Sequence, residues 1–241
     1  MLIFCINNKS LGGNTLDNRL RPESKKHIIR CAYKVLQRDG AADFSVRQVA
    51  HECGCSVSGL YRHFSGREEL LLYASLLCLE PYFKELSELV YSKQNSISSY
   101  FRVEQLFAAY SFSQPDLFYT IYFGSSEASL DKVLRDSYSL FESSPEKILE
   151  YRFGQGFVEG GIEGRNLAML EICLKDGFLN INHDELVIFN KGIVKMYRGF
   201  LDNAIAMRRQ GKDTSSLREQ YLQAHSLMHK KILSPDAYIY I

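Results

Sequence analysis

A chain of 241 residues, 46% of them apolar, has room for one large domain or two modest ones and can bury a real core, which excludes the disordered classes. The formal net charge of +1 excludes little, but between Asp17 and Leu70 ten Lys/Arg stand against seven Asp/Glu, with three His besides, a mild positive bias of the sign a nucleic-acid partner favours. Apolar runs fall short of the roughly 18 residues that cross a membrane, and the start, Met1 to Ile6, has no basic flank and is shorter than the roughly 7–15 residue core of an export signal.

Residues 1–19 therefore read as a flexible arm, or as the product of an upstream start codon, and the chain as cytoplasmic with no membrane partner. Arg21-Pro22-Glu23 is expected to open the first helix, Pro suiting its first turn and Glu its positive end. Ile28, Ala32, Val35 and Leu36 recur at helical spacing, and Gly40 is expected to end the helix. Ser45 is an N-cap with Gln48 three residues on, a capping-box pattern, and Val46, Val49 and Ala50 give the next short helix its inner side. Gly54 supplies a turn, Ser56 a second N-cap, and Leu60, Tyr61 and Phe64 a third helix. Arg67 begins a long helix expected to run to about Leu89.

Further helices are expected over Ser98–Phe112, Pro115–Phe123 with an extension toward Arg135, Pro145–Glu159, Arg165–Lys175, Asp184–Arg209 and Ser215–Ile232. Strand-like alternation is confined to Ala237–Ile241. The fold class is all-α, with a three-helix head over residues 20–70 (motif 45–64) and a helical body over 71–241.

The segment from Ser45 to Phe64 has the economy of a helix-turn-helix. Ala50 lets two short helices cross closely, Gly54 relieves the turn, and Val49, Cys55 and Leu60 hold the angle. The second helix is left free for the major groove, which admits one α-helix. Ser56, Val57, Ser58, Gly59, Tyr61, Arg62 and His63 form the candidate DNA-reading set. Arg47 and Arg67 are candidate phosphate partners.

The run FSVRQVAHECGCSVSGLYRHFSGREEL resembles the head of the tetracycline-repressor (TetR) family. Ser45, Ala50, Gly54, Ser56, Leu60, Tyr61, Phe64, Arg67 and Leu70 fall on that pattern, which covers about Pro22 to Leu72. Gly59 stands where the family often carries Thr, and Val57 replaces a commonly polar residue. The resemblance implies a homodimeric regulator, usually a repressor, released from a palindromic double-stranded DNA operator by a small-molecule effector. It implies DNA binding for the head over 20–70, and ligand binding and dimerisation for the body over 71–241.

In the second half, aromatic residues are dense. Phe101, Tyr110, Phe118, Tyr119, Tyr122, Phe153 and Phe157 are candidates to line an effector pocket, with plain core packing as the alternative. Asp184–Arg209 carries too much apolar surface for one buried stripe. Phe189, Ile193, Met196, Tyr197 and Phe200 are therefore the candidate dimer face, with Arg165–Lys175 contributing. His225 and His229, four apart, read as a solvent-exposed face rather than a metal pair, and Cys55 of the Cys53-Gly54-Cys55 pair as filling a small apolar position rather than serving a redox or metal site. No cofactor or metal is expected. An enzyme finds no support in any phosphate loop, HExxH or Ser/His/Asp context. A helical interaction module that has lost DNA binding stays open as the alternative.

Overall fold

The computed structural model describes residues 24–91, 94–124, 127–140, 153, 157 and 160–240. Over these the chain is built from helices and turns, with one isolated β-bridge between Leu179 and Leu233. The described chain begins at Ser24, whose side chain accepts the His27 backbone N–H and caps α1 (Lys25–Asp43). The expected opening at Arg21–Glu23 lies outside the described residues. Ile28, Ile29, Ala32, Val35 and Leu36 form the buried stripe of α1. Gly40, expected as its terminator, instead takes φ 77° at a kink, and the helix resumes to Asp43.

α2 (Val46–Cys53) is capped by Ser45, which accepts the Gln48 N–H. The Gln48 side chain answers through the Ser45 hydroxyl, which donates to its Oε1, while its amide donates to Asp39. α3 (Val57–Tyr61) is capped by Ser56. The long helix expected after Arg67 is two, α4 (Arg67–Cys78) and α5 (Glu80–Tyr91). Pro81 is the cause: it has no N–H to give the Leu77 carbonyl, and Leu79 closes the last turn on Leu76 at 3.1 Å.

α6 (Ser96–Ser113), capped by Asn95, and α7 (Pro115–Phe123) meet at Gln114. α7 stops at Gly124, so the expected extension to Arg135 belongs to a separate α8 (Glu127–Leu140). The helix expected over Pro145–Glu159 falls almost wholly outside the described residues. α9 (Gly161–Lys175), α10 (His183–Arg209) and α11 (Ser215–His229) complete the body. α10 begins in a reciprocal capping box between Asn182 and Glu185. The tail Pro235–Tyr240 is a 3₁₀ turn, not a strand. A single bridge at Leu233 offers no sheet to extend, and Ala237 N–H bonds back to the Ser234 carbonyl.

α1 packs against α2 and α4, and α4 in turn against α7 and α8. α6 runs through the middle of the body, against α5, α9, α10 and α11. Around it Tyr82, Phe107, Phe118, Tyr122 and Tyr197 interlock, several edge to face, at centroid distances of 5.1–6.4 Å.

Two sequence expectations are corrected by this packing. His225 and His229 are fully buried, because they continue the inward stripe of Leu217 and Tyr221 on α11. Tyr100 makes that burial tolerable. His229 Nδ1–H donates to the His225 carbonyl at 2.8 Å, the Tyr100 hydroxyl donates to His229 Nε2 at 2.9 Å, and His225 Nε2–H donates to the Tyr100 oxygen at 3.1 Å. Two residues of the expected dimer face also turn inward, and the other three are half-buried. Ile193 and Tyr197 are buried, Phe189 stands edge-on to His229, Phe200 packs on Tyr221, and Met196 on the same core. α10 carries so much apolar surface because α6, α7, α9 and α11 all pack against it.

Candidate nucleic-acid interface

The head sorts its residues by side. Phe44, Val49, Ala50, Cys53, Leu60 and Phe64 are buried and fix α3 against α1 and α2. Gly54 takes the left-handed conformation, φ 65°, at the C-cap of α2, and its N–H bonds back to Ala50 and His51. That tight reversal is what lets α3 begin only four residues after α2 ends. On the opposite side, Tyr61 is 55% exposed, and Ser56, Ser58 and Arg62 are exposed with it. Ser56 Oγ accepts the Gly59 N–H and lies 3.0 Å from Ser58 Oγ. Arg47, at the second position of α2, is exposed, and His63 is half-buried beside Phe64.

Three members of the sequence-expected set point elsewhere. Gly59 is buried next to Leu60, and Val57 packs against the head core. Arg67 is half-buried and turned inward: Nε donates to the Phe44 carbonyl at 2.9 Å and a terminal nitrogen to the Ala41 carbonyl at 2.7 Å. Its guanidinium therefore staples α4 to the end of α1 instead of reaching for a phosphate. Cys55 is half-buried against the core, as expected for a small apolar residue. Burial, then the neighbouring Cys31 and Cys55, hold the Cys53 thiol far above the ordinary range.

Among the described residues the candidate pocket residues are not gathered in one pocket. Phe118, Tyr122, Phe153 and Phe157 are core. Beside Tyr122 and Phe157, next to Arg165 and Glu104, they leave only about 30 Å³, room for a water or two and not for an effector. The Tyr110 hydroxyl donates to Glu85, and Tyr119 accepts from Arg198 on the wall of a separate cleft shared with Arg67. Phe101 does line a cleft of ligand size. It holds about 550 Å³ between α6 and α11, bounded also by Arg102, Glu104, Leu222, His225 and Tyr240.

Sequence reasoning missed the charged floor of that cleft. Glu104 is buried, receives the Tyr221 hydroxyl at 3.2 Å, and lies 3.5 Å from His225 Nε2. Desolvation lifts its carboxyl to about 7 against the pull of Tyr221, lowers His229 to about 4, and holds His225 well below its ordinary range. Glu104 and Tyr221 are 117 positions apart, so no local pattern joins them. Among the described residues no helix is long and apolar enough to cross a membrane.

With this geometry in hand, the likenesses to known proteins fall into place. Residues 28–74 match a family described as bacterial regulatory proteins, tetR family. A stretch of 52 residues, 22% of the chain, is 36% identical to an uncharacterized HTH-type transcriptional regulator, YerO, of Bacillus subtilis, and spans 18% of that protein's length. The overall fold is similar to a TetR transcription regulator of Haloarcula marismortui (16% identity, 88% of this chain and 98% of that one, TM-score 0.55). It is similar also to SmeT, the repressor of a multidrug efflux pump of Stenotrophomonas maltophilia (14% identity, 90% and 94%, TM-score 0.53). A third is FadR of Thermus thermophilus, a repressor solved with lauroyl-CoA (13% identity, 84% and 92%, TM-score 0.51). At such identities the likeness is one of fold.

Proposed function

We propose, from the match of residues 28–74 to the tetR family of bacterial regulatory proteins and the likeness of the fold to regulators of that family, that this chain is a transcriptional repressor which grips a palindromic DNA operator as a homodimer and lets go when a small molecule binds its body. The observation that carries the reading is the two-sided α3. Leu60 and Phe64 lock it into the head, while Ser58, Tyr61 and Arg62 stand in solvent on a helix short enough to enter a major groove. The interaction-module alternative has no observation in its favour.

The dimer face of this reading is the outward side of α10. Ile188 is 72% exposed there, and Gly199 has open space around its Cα on the same side. Two-fold symmetry would set two α3 helices about one DNA turn apart, roughly 34–36 Å. The effector site of this reading is the cleft at Phe101, whose Leu222 wall and Arg102, Glu104 and His225 groups suit a small molecule of mixed polarity. Such a ligand releases DNA only by binding the non-binding arrangement of the heads more tightly than the binding one.

Fluorescence anisotropy on duplexes from the DNA flanking its own gene tests the reading. Saturable, salt-dependent binding is expected. Arg47→Ala should flatten the slope of log affinity against log salt by about one. Ser58→Ala and Arg62→Ala should change sequence preference, with a cost of roughly 1–3 kcal/mol where a base contact is lost. Binding that none of the three substitutions alters would remove α3 from the interface.

A further inference from the structure

We propose that the head carries a binding site for one thiophilic metal ion, of the Zn²⁺ or Cu⁺ class, held by His27 and Cys31 of α1 and Cys53 at the end of α2. His27 and Cys31 lie one helical turn apart on the same face, with Cys31 Sγ 3.5 Å from His27 Nε2. Packing of α2 on α1 brings in Cys53, and the three donor atoms all lie within 4.8 Å of one another. Around a tetrahedral zinc, with bonds of about 2.0–2.3 Å, neighbouring donors stand roughly 3.5–3.8 Å apart. Closing the cluster on an ion therefore asks for side-chain movements of roughly an ångström, within reach of rotamer adjustment.

The donor set is selective. Two sulfurs and an imidazole, with no carboxylate among them, favour soft or borderline cations over Mg²⁺ and Ca²⁺. The thiols are buried and unoxidised, while His27 is half-buried at the mouth. An ion here would clamp α1 to the end of α2, three residues before the Ser56 cap of α3. The site stands on its own geometry, and its influence on α3 is the part that rests on the DNA-binding reading.

The test uses the full chain, purified reduced and metal-free, titrated with Zn²⁺ against a chromophoric chelator and, separately, with Co²⁺ for its thiolate-to-metal absorption. One Zn²⁺ per chain and a Co²⁺ spectrum with thiolate character are expected. Cys53→Ala and His27→Ala should each weaken binding by more than the roughly 10–100-fold of an outer-shell change, while Cys78→Ala should leave it unchanged. Because Cys53 is a core residue, circular dichroism checks each fold, and His27→Ala, at the half-exposed mouth, keeps the test decisive if Cys53→Ala unfolds. No Zn²⁺ bound at micromolar free metal overturns the proposal, as does binding that His27→Ala leaves unchanged. A Cys31–Cys53 disulfide in protein prepared without reductant, with no metal uptake after reduction, overturns it too.

Discussion

Arg67 shows how one side chain can carry the right charge in the right place for one role and spend it on another. Of the carbonyls it meets, Ala41 lies in the last turn of α1 and Phe44 in the link to α2, where neither has an intrahelical partner. Hydrogen bonds from a charged donor are worth about 1.5–3 kcal/mol each when buried, and partial exposure trims that. Arg67→Ala is expected to destabilise the protein by about 2 kcal/mol in urea unfolding, and to leave the salt slope of DNA binding unchanged. A slope that drops by one with stability intact would return Arg67 to the phosphates. Glu104 makes the second residue-scale prediction. Its folded carboxyl is raised to about 7 from an ordinary 4.5, so its contribution to stability is complete below about 4.5 and is lost as pH rises through 7. At about 1.4 kcal/mol per unit the loss is of order 3 kcal/mol. His229, lowered to about 4, works the other way: its contribution is present above 6.5 and is lost as pH falls toward 4. Glu104→Gln should therefore gain on the native protein between pH 5 and 8 in thermal melts. A constant difference in Tm across that range would show that Glu104 does not titrate there. Neither residue was legible beforehand. Arg67 lies on a motif position that permits both roles, and the partners of Glu104 come from a helix more than a hundred residues away.

At the scale of elements, the head is written locally, and that is why its outline was readable. Ser45, Gly54 and Ser56 act within four residues of themselves, and the apolar positions Val49, Leu60 and Phe64 fall inward as their spacing demands. Gly54→Ala tests the tightest of these devices. At φ 65° a Cβ costs roughly 1–2 kcal/mol even though nothing lies within 4 Å of where it would go. Stability and DNA affinity should fall together, because the strain sits in the turn that aims α3; a loss of stability with unchanged affinity would mean that α3 keeps its pitch without the left-handed turn. The break between α4 and α5 was equally local, since Pro81 announces it, but an uninterrupted apolar pattern through Leu89 masked the missing donor. α10 is a different case. Its excess of apolar residues was read as a second face, yet the spacing cannot say whether such a face meets another subunit or another helix of its own, and four helices of the same chain, α6, α7, α9 and α11, pack on α10. The aromatic wealth of α6 and α7 misled for a related reason: rings at helical spacing look the same whether they line a cavity or interlock until none is left.

On the proposed reading the whole molecule has to join an outward-facing head to a body that senses a ligand, and the described contacts between them combine the apolar packing of α1 on α4 with a charged strut. Dimerisation comes first. Ile188→Asp should convert a dimer to monomers in sedimentation velocity at micromolar concentration, with the helical content unchanged. A native chain that already sediments as a monomer would defeat the two-half-site reading outright. Within one subunit, Asp136 on α8 is the point where three elements meet. It accepts from Lys25 in the first turn of α1 at 3.0 Å and from the hydroxyl of Tyr73 on α4, while Lys132, one turn earlier on α8, meets Glu69 at 3.1 Å. The Tyr73 hydroxyl, and after it Lys25, hold the Asp136 carboxyl below its ordinary range, so this strut is intact above about pH 4 and fails only as acid protonates it. Its net stabilisation is modest, about 1 kcal/mol, because both charges keep partial contact with water. Its position matters more than its strength: Asp136 ties α8 directly to α1, beside the packing of both helices on α4. Asp136→Asn keeps the shape and removes the charge. Hydrogen exchange should then quicken at the start of α1, over residues 25–31, and stay unchanged in α10 and α11. Uniform quickening would mark Asp136 as a general stabiliser, and no change at α1 would show that the head is steadied by the apolar packing of α1 on α4 alone.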